Sequence, residues 1–153
     1  MTAVLVLLAV LVVATAFGLY RRRVDGRLRT VAPQPVADDA PEVGLDPEAD
    51  RHEYLSVEEL GEPLGARATL VQFSTAFCQP CRATRRTLDE VAAMVDGVAH
   101  VEIDAESHLA LVRRLKILRT PTVLVLDGEG RVLQRATGAP RKADVVAALG
   151  TFL

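Results

Sequence analysis

Tryptophan is absent from this 153-residue chain, and aromatic residues as a whole are scarce, with four phenylalanines and two tyrosines. This leaves few side chains for the stacking platforms that bind single-stranded nucleic acids. A basic excess is also missing, because 18 lysines and arginines face 20 aspartates and glutamates. Both absences argue against a nucleic-acid partner.

Cysteine occurs only twice, as Cys78 and Cys81. A structural zinc site needs four ligands, and the spacings of His52, His100 and His108 fit no standard zinc pattern. A purely structural disulfide across so small a loop would constrain the unfolded chain little. Zinc binding and a structural bridge remain the less favoured alternatives to a redox function, and no metal site is predicted.

Charged side chains are missing from Met1 to Tyr20, which is rich in leucine, valine and alanine. As a helix this segment would be about 30 Å long, enough to cross the hydrocarbon core. The cluster Arg21–Arg23 follows it, and such clusters stay in the cytoplasm. We therefore predict a single-pass cell-membrane anchor over residues 1–20 and a cytoplasmic domain. A signal peptide cleaved near Ala14–Ala16 is the alternative, and an extracytoplasmic domain the alternative location.

Residues 21–53 begin with a basic juxtamembrane segment and continue as an acidic, proline-rich stretch without apolar periodicity. Such a composition cannot bury enough surface to offset its ordering entropy. We predict that the acidic stretch, about residues 31–53, is a disordered linker. With the basic segment, it separates the anchor from a globular domain over residues 54–153.

The globular part alternates strand and helix signals. Ser56 and Glu59 form a capping-box pattern that opens a short helix. The remaining order is strand, helix, strand, helix, hairpin, helix, which indicates a parallel βαβ unit followed by antiparallel strands. The segments are a strand at 69–73, a helix at 78–95, a strand at 98–104, a helix at 106–115, hairpin strands at 122–126 and 131–135, and a helix at 142–149.

Cys78 lies where a buried strand passes into a helix, with Pro80 in the first helical turn. The helix dipole and unpaired N–H groups at this end lower the pKa of a thiol and make it nucleophilic. Cys81, one turn later, can attack a mixed disulfide formed at Cys78. The pattern predicts thiol–disulfide exchange.

Three separated motifs give residues 54–153 a resemblance to the thioredoxin family: Phe77–Cys81 at a strand-to-helix turn, Thr120–Thr122 before a hairpin, and Gly138 after it. The resemblance implies a thioredoxin-like three-layer α/β/α sandwich with a mixed sheet. It also implies an oxidoreductase without a metal or organic cofactor, whose redox group is the Cys78–Cys81 disulfide. Protein disulfides would be its substrates and a reductase its electron donor.

By the same resemblance, Cys78 is the attacking cysteine, Cys81 resolves the mixed disulfide, and Pro121 is a cis-proline that packs against the disulfide. X-Pro is the only common cis linkage, which agrees with this assignment. The residues expected to contact substrate surround these three. They are Phe77, Gln79, Pro80, Thr120 and Gly138.

The chain departs from the family at several site positions. Phe77 replaces the usual tryptophan, and Gln79 the glycine between the cysteines. Gln72 aligns with a buried acid and His100 with a lysine. We expect Gln72 and His100 to form one hydrogen-bonded proton relay, with His100 as general base for Cys81. The alternative is a strand histidine without a catalytic role.

A second function class stays open beside the enzyme. The domain could be a tethered binding module, or a carrier that holds a metal ion between the two thiolates. Insulin-disulfide reduction that depends on Cys78 would favour the enzyme, and tight stoichiometric copper or zinc binding would favour the carrier.

Overall fold

A five-stranded mixed sheet organises the structure. The computed structural model describes residues 2–24, 26–30 and 54–152. The sheet has the order β1-β5-β4-β2-β3, in which β2 and β3 are parallel and every other neighbouring pair is antiparallel. Its strands are β1 (Leu28–Thr30), β2 (Ala68–Ser74), β3 (Val98–Asp104), β4 (Thr122–Asp127) and β5 (Val132–Thr137).

Alternate strand residues point to opposite faces of this sheet, and both faces are apolar. Helices therefore cover both faces. One core packs Val71 and Phe73 against Leu111 and Leu115, and the other packs Leu70 against helical residues that include Leu88. The predicted α/β architecture with a mixed sheet is therefore confirmed. The helices are α1 (Thr2–Val24), α2 (Val57–Leu60), α3 (Gln79–Met94), α4 (Leu109–Arg114) and α5 (Lys142–Phe152).

Local signals account for most element boundaries. The capping box at α2 is present, since Ser56 Oγ accepts a hydrogen bond from Glu59 N and Glu59 Oε2 accepts one from Ser56 N. Helix α4 begins at Leu109, three residues later than predicted, because the Asp104 carboxylate binds Glu106 N and Ser107 Oγ in a turn after β3. An aspartate that caps its own turn competes with helix formation at this point.

The edge strand β1 lies inside the basic juxtamembrane segment that precedes the predicted linker. Leu28 pairs with Ala136 and Thr30 with Gln134, and Leu28 packs against the core beside β5. The sequence did not predict this strand, because three residues are too few to show an alternating pattern. The proline-rich stretch at 31–53 lies outside the described residues.

Helix α1 exposes the apolar side chains of residues 6–20 whose placement is described. Within the part of the chain that the structure describes, no helix is both long enough and apolar enough to cross a membrane.

Candidate active site

The two cysteines are joined by a disulfide at the N-terminus of α3, with an S–S distance of 2.01 Å. Cys78 is the N-cap of this helix, and its sulfur accepts a hydrogen bond from Cys81 N at 3.2 Å. Pro80 lies in the first turn, where its missing N–H leaves no helical bond unmade. The strand-to-helix placement expected from the sequence is therefore present.

The two sulfurs differ in access. Cys78 is half-buried at the surface, whereas Cys81 is only 3% exposed. This asymmetry matches an outer sulfur that meets a substrate and an inner one that resolves the product.

The loop before β4 closes over the disulfide end of the sheet. The Thr120–Pro121 peptide bond is cis, and Pro121 is buried. Thr120 Oγ1 lies 3.3 Å from Thr75 Oγ1, which ties this loop to the turn before Cys78. Gly138 N donates to Pro121 O at 2.8 Å, so the three motifs that lie far apart in the sequence meet at one place.

A cavity of ≈ 400 Å³ opens beside the disulfide. Glu102 of β3 lies beside Gln72 of β2, because the strand register pairs these two residues. One Glu102 oxygen accepts hydrogen bonds from Ser74 Oγ at 2.6 Å and Gln72 Nε2 at 3.3 Å. The other oxygen forms an ion pair with Arg85 of α3. The cavity is lined by Ser74, Thr75, Ala76, Cys78, Cys81, Arg82, Arg85, Glu102 and Asp104.

The electrostatics of this cluster follow from those contacts. Burial raises the pKa of Glu102, but the hydrogen bonds from Arg85 and Ser74 outweigh burial and hold it below the ordinary glutamate value. The hydrogen bond and charge of Glu102 raise the pKa of Arg85 in turn. An ionised carboxylate, neutralised by one guanidinium, therefore stands beside the disulfide.

Comparison with known proteins decides the family. The thioredoxin-like domain family matches residues 62–153, more than half of the chain. The chain belongs to the thioredoxin-like family. A thioredoxin of Mycolicibacterium smegmatis is 29% identical over 102 residues, covering 65% of this chain and 88% of the relative. A thioredoxin of Mycoplasma pneumoniae is 26% identical over 95 residues, covering 61% and 92%.

Solved structures agree with this assignment. Chloroplastic thioredoxin z superposes with a TM-score of 0.52 and 27% identity, covering 57% of this chain and 79% of that protein. Thioredoxin of Fasciola hepatica also gives a TM-score of 0.52, and its 18% identity shows the fold alone. With its cysteine pair, this thioredoxin-like protein is a thiol–disulfide oxidoreductase, and protein disulfides are the substrates that the family implies.

The predicted hydrogen bond between Gln72 and His100 is wrong. The register places His100 opposite Leu70, two residues from the Gln72 position and about 7 Å further along the strand. His100 Nδ1 binds Asp89 of α3 at 2.6 Å, while Gln72 Nε2 donates to Cys81 O at 3.1 Å and to Glu102. Both residues do face α3, as alternation predicted.

The spacing of residues along α3 matches the spacing along the strands and explains these contacts. Cys81, Arg85 and Asp89 are spaced by four residues on α3, about 6 Å each. That rise nearly equals two strand residues, about 6.6 Å. Arg85 therefore meets Glu102 and Asp89 meets His100, one step further from the disulfide.

Sequence reasoning did not assign Ser74 and Glu102 to the site. The available signal was that Glu102 is a charged residue on the α3-facing side of β3, near the end of that strand. The other predicted substrate contacts surround the disulfide: Phe77, Gln79 and Pro80 are exposed, and Thr120 and Gly138 are half-buried. Within the described ranges, no group of three or more His, Cys, Asp and Glu residues could hold a metal ion.

Proposed function

We propose that this protein is a membrane-anchored oxidoreductase that uses the Cys78-Gln79-Pro80-Cys81 dithiol to reduce protein disulfides at the cytoplasmic face of the membrane. The observation that carries the proposal is the asymmetric cysteine pair at the N-terminus of α3, with Cys78 accessible and Cys81 buried behind it. The helix terminus favours the thiolate form of the outer cysteine.

The reduced enzyme starts the exchange with the Cys78 thiolate. It attacks one sulfur of the substrate disulfide, so that a Cys78–substrate bond forms and the other substrate sulfur leaves as a thiolate. Cys81 then loses its proton and attacks the Cys78 sulfur, which releases the second substrate thiolate. Two electrons pass to the substrate, and the Cys78–Cys81 disulfide remains for a two-electron donor, such as a reductase, to reduce.

Substrate contacts in this proposal come from the surface around Cys78. Phe77 offers an apolar side chain that is 94% exposed, directly before the attacking sulfur. Gln79 and Pro80 lie on the other side of Cys78. Thr120 and Pro121 before β4, joined to Gly138 after β5 by a hydrogen bond, would contact an extended substrate segment.

The anchoring part of the proposal rests on the sequence of α1. The uncharged run Met1–Tyr20 is followed by Arg21–Arg23, which supports insertion with the N-terminus outside and the domain in the cytoplasm. A reducing direction suits that compartment, where thiols are kept reduced. Reporters fused after Leu153 test it, and a C-terminal reporter active only outside the cytoplasm would contradict it.

Insulin reduction tests the redox function. We expect turnover by the full chain to be lost in Cys78→Ser, whereas Cys81→Ser should trap a mixed disulfide through Cys78. Arg86→Ala, on the exposed side of α3, serves as the matched surface control. Tight one-to-one copper or zinc binding without turnover would contradict the redox function and indicate a metal carrier.

A further inference from the structure

Strand β1 joins α1 to one particular end of the sheet. Gly26 N donates to Thr137 O at 2.9 Å, and Leu28 pairs with Ala136, so β1 starts where β5 ends. Thr137 pairs with Thr122 at the start of β4. Thr122 in turn pairs with Phe73, next to the end of β2 from which the active-site turn departs. The chain therefore enters the sheet at its active-site end.

At this end, the distance across the sheet from β1 to β2 is short. β1 and β2 are separated by β5 and β4, and three strand spacings amount to about 14 Å. Hydrogen bonds also join the loops at this end, from the end of β5 to the start of β4 and from there to the end of β2. Gly138 N binds Pro121 O at 2.8 Å, and Thr120 Oγ1 lies 3.3 Å from Thr75 Oγ1, three residues before Cys78.

The stretch of chain between α1 and the first residue bonded to the sheet is shorter still. Helix α1 ends at Val24, two residues before the hydrogen-bonded Gly26, so their Cα atoms are at most about 7 Å apart. A flexible linker over residues 21–53 would instead allow an end-to-end distance of about 30 Å. The β1–β5 pairing removes that freedom from the chain between the helix and the sheet.

Two large apolar side chains at this end are the most exposed ones among the residues that the structure describes. Phe77 is 94% and Leu118 is 92% exposed, one beside Cys78 and the other before the Thr120–Pro121 bond. We take these two side chains as the apolar contacts of an interaction surface at this end. The charge at this end is mixed, since Arg82 and Arg86 are exposed on the first turns of α3 and Asp104 and Glu106 are exposed at the end of β3 and just after it. The arginines are the side chains that an anionic cytoplasmic leaflet would attract.

We infer that the active-site end of the domain is held against the membrane surface, and that its substrates are disulfides in juxtamembrane segments of membrane proteins. The inference rests on the anchoring by α1 in the proposed function. The thiol chemistry is unchanged: two electrons pass from Cys78 and Cys81 to a substrate disulfide. Because β1 fixes the active site near the bilayer surface, we expect the protein to select disulfides that lie close to that surface.

Tryptophan fluorescence tests the orientation, because the natural chain has no tryptophan. Phe77→Trp places a single probe beside Cys78. Met94→Trp is the matched control, since Met94 is 63% exposed at the far end of α3, about 22 Å away along the helix. Both reduced full-length variants are reconstituted in phosphatidylcholine–phosphatidylglycerol vesicles with and without brominated acyl chains. We expect bromine to quench Phe77→Trp and to leave Met94→Trp nearly unchanged. Equal quenching of both probes, or none at position 77, would overturn the orientation.

A substrate pair tests the selectivity in the same vesicles. One membrane-spanning peptide carries a disulfide loop directly after its span, and the other carries the loop beyond a long Gly-Ser spacer. We expect the protein to reduce the near loop roughly tenfold faster, because both partners share one surface layer. A Gly-Ser insertion between Val24 and Asp25 should abolish this preference and leave soluble insulin reduction unchanged. Equal rates for both loops with the natural chain would refute the inference.

Failures of the two proposals are separable. Loss of insulin reduction in the natural chain would refute the redox function, and failure to co-float with vesicles would refute the anchor together with the inference. A protein that floats and reduces insulin, but is not quenched at position 77, would keep the proposed function and lose only the membrane-facing active site.

Discussion

Ser74 Oγ donates a hydrogen bond of 2.6 Å to the Glu102 carboxylate, at the point where β2 and β3 end beside the disulfide. This bond, with those from Gln72 and Arg85, holds an ionised carboxylate in the active-site cavity. The cluster joins two strands to the helix that carries both cysteines.

Replacing Glu102 should change the pH dependence of stability. Because the folded pKa of Glu102 is lowered, its contribution is present above the unfolded value, about 4.3, and is lost as the pH falls through the folded pKa. We expect Glu102→Gln to unfold with about 1–2 kcal/mol less free energy at neutral pH, and the deficit to shrink in acid. Urea titrations across this range measure it. Glu129→Gln, in the exposed β4–β5 turn, is the control, and an equal deficit at every pH would contradict the prediction.

Removing Arg85 should raise the pKa of the Cys78 thiol. The Glu102 carboxylate would lose its neutralising partner and disfavour a second negative charge in the same cavity. We expect an increase of roughly 0.5 to 1 unit in Arg85→Ala at low salt, and a smaller one at high salt. Thiolate absorbance against pH reports it. An identical shift in Arg86→Ala would point to the general charge of α3 instead.

The two cysteines should react with alkylating agents in a fixed order. Cys81 is 3% exposed, whereas Cys78 is half-buried at the helix N-terminus. In the reduced protein we expect iodoacetamide to label Cys78 first, with a rate that follows its thiolate fraction. Mass spectrometry of a time course identifies the labelled residue. Faster labelling of Cys81 would reverse the assignment of attacking and resolving cysteines.

Introducing an acid at position 72 should create a carboxylate pair. Gln72 is fully buried, and its Nε2 lies 3.3 Å from a Glu102 oxygen. In Gln72→Glu two negative charges would share this site, so the pKa of one would rise above its unfolded value. We expect the variant to lose about 2–4 kcal/mol of unfolding free energy at neutral pH and to recover as the pH falls.

The double variant Gln72→Glu with Glu102→Gln provides the matched comparison. It keeps one carboxylate at the same place, so most of the stability at neutral pH should return. If the double variant is no more stable than Gln72→Glu alone, the loss comes from the shape of the buried site and not from the charge pair.

His100 should not control the resolution step. Its Nδ1 binds Asp89, and the strand register places it away from Gln72 and Cys81. We expect His100→Ala and Asp89→Asn to resolve mixed disulfides with the pH profile of the natural protein. Stopped-flow measurement with a peptide disulfide gives this profile. Loss of one apparent pKa in His100→Ala alone would restore the histidine as the base for Cys81.

Local sequence determined the position of the redox pair, because each signal lies within a few residues. A buried strand, two cysteines with Pro80 between them and an amphipathic run are enough to place Cys78 at a helix N-terminus. The capping box at Ser56 and the hairpin of β4 and β5 are equally local. Alternation along β2 and β3 also placed Gln72 and His100 on the face toward α3.

The tertiary structure decided which side chains meet across neighbouring strands and which distant segments pair. Gln72 meets Glu102 because β2 and β3 align Ala68 with Val98, and a shift of two residues would have brought His100 there instead. Alternation fixes the face of a strand but is blind to such a shift. Likewise, Leu28 pairs with Ala136, more than 100 residues along the chain, through backbone hydrogen bonds that leave no trace in composition. That pairing brings the chain after α1 to the active-site end of the sheet. Composition does not predict it, because the backbone bonds of an edge strand can be made to any chain that fits the sheet.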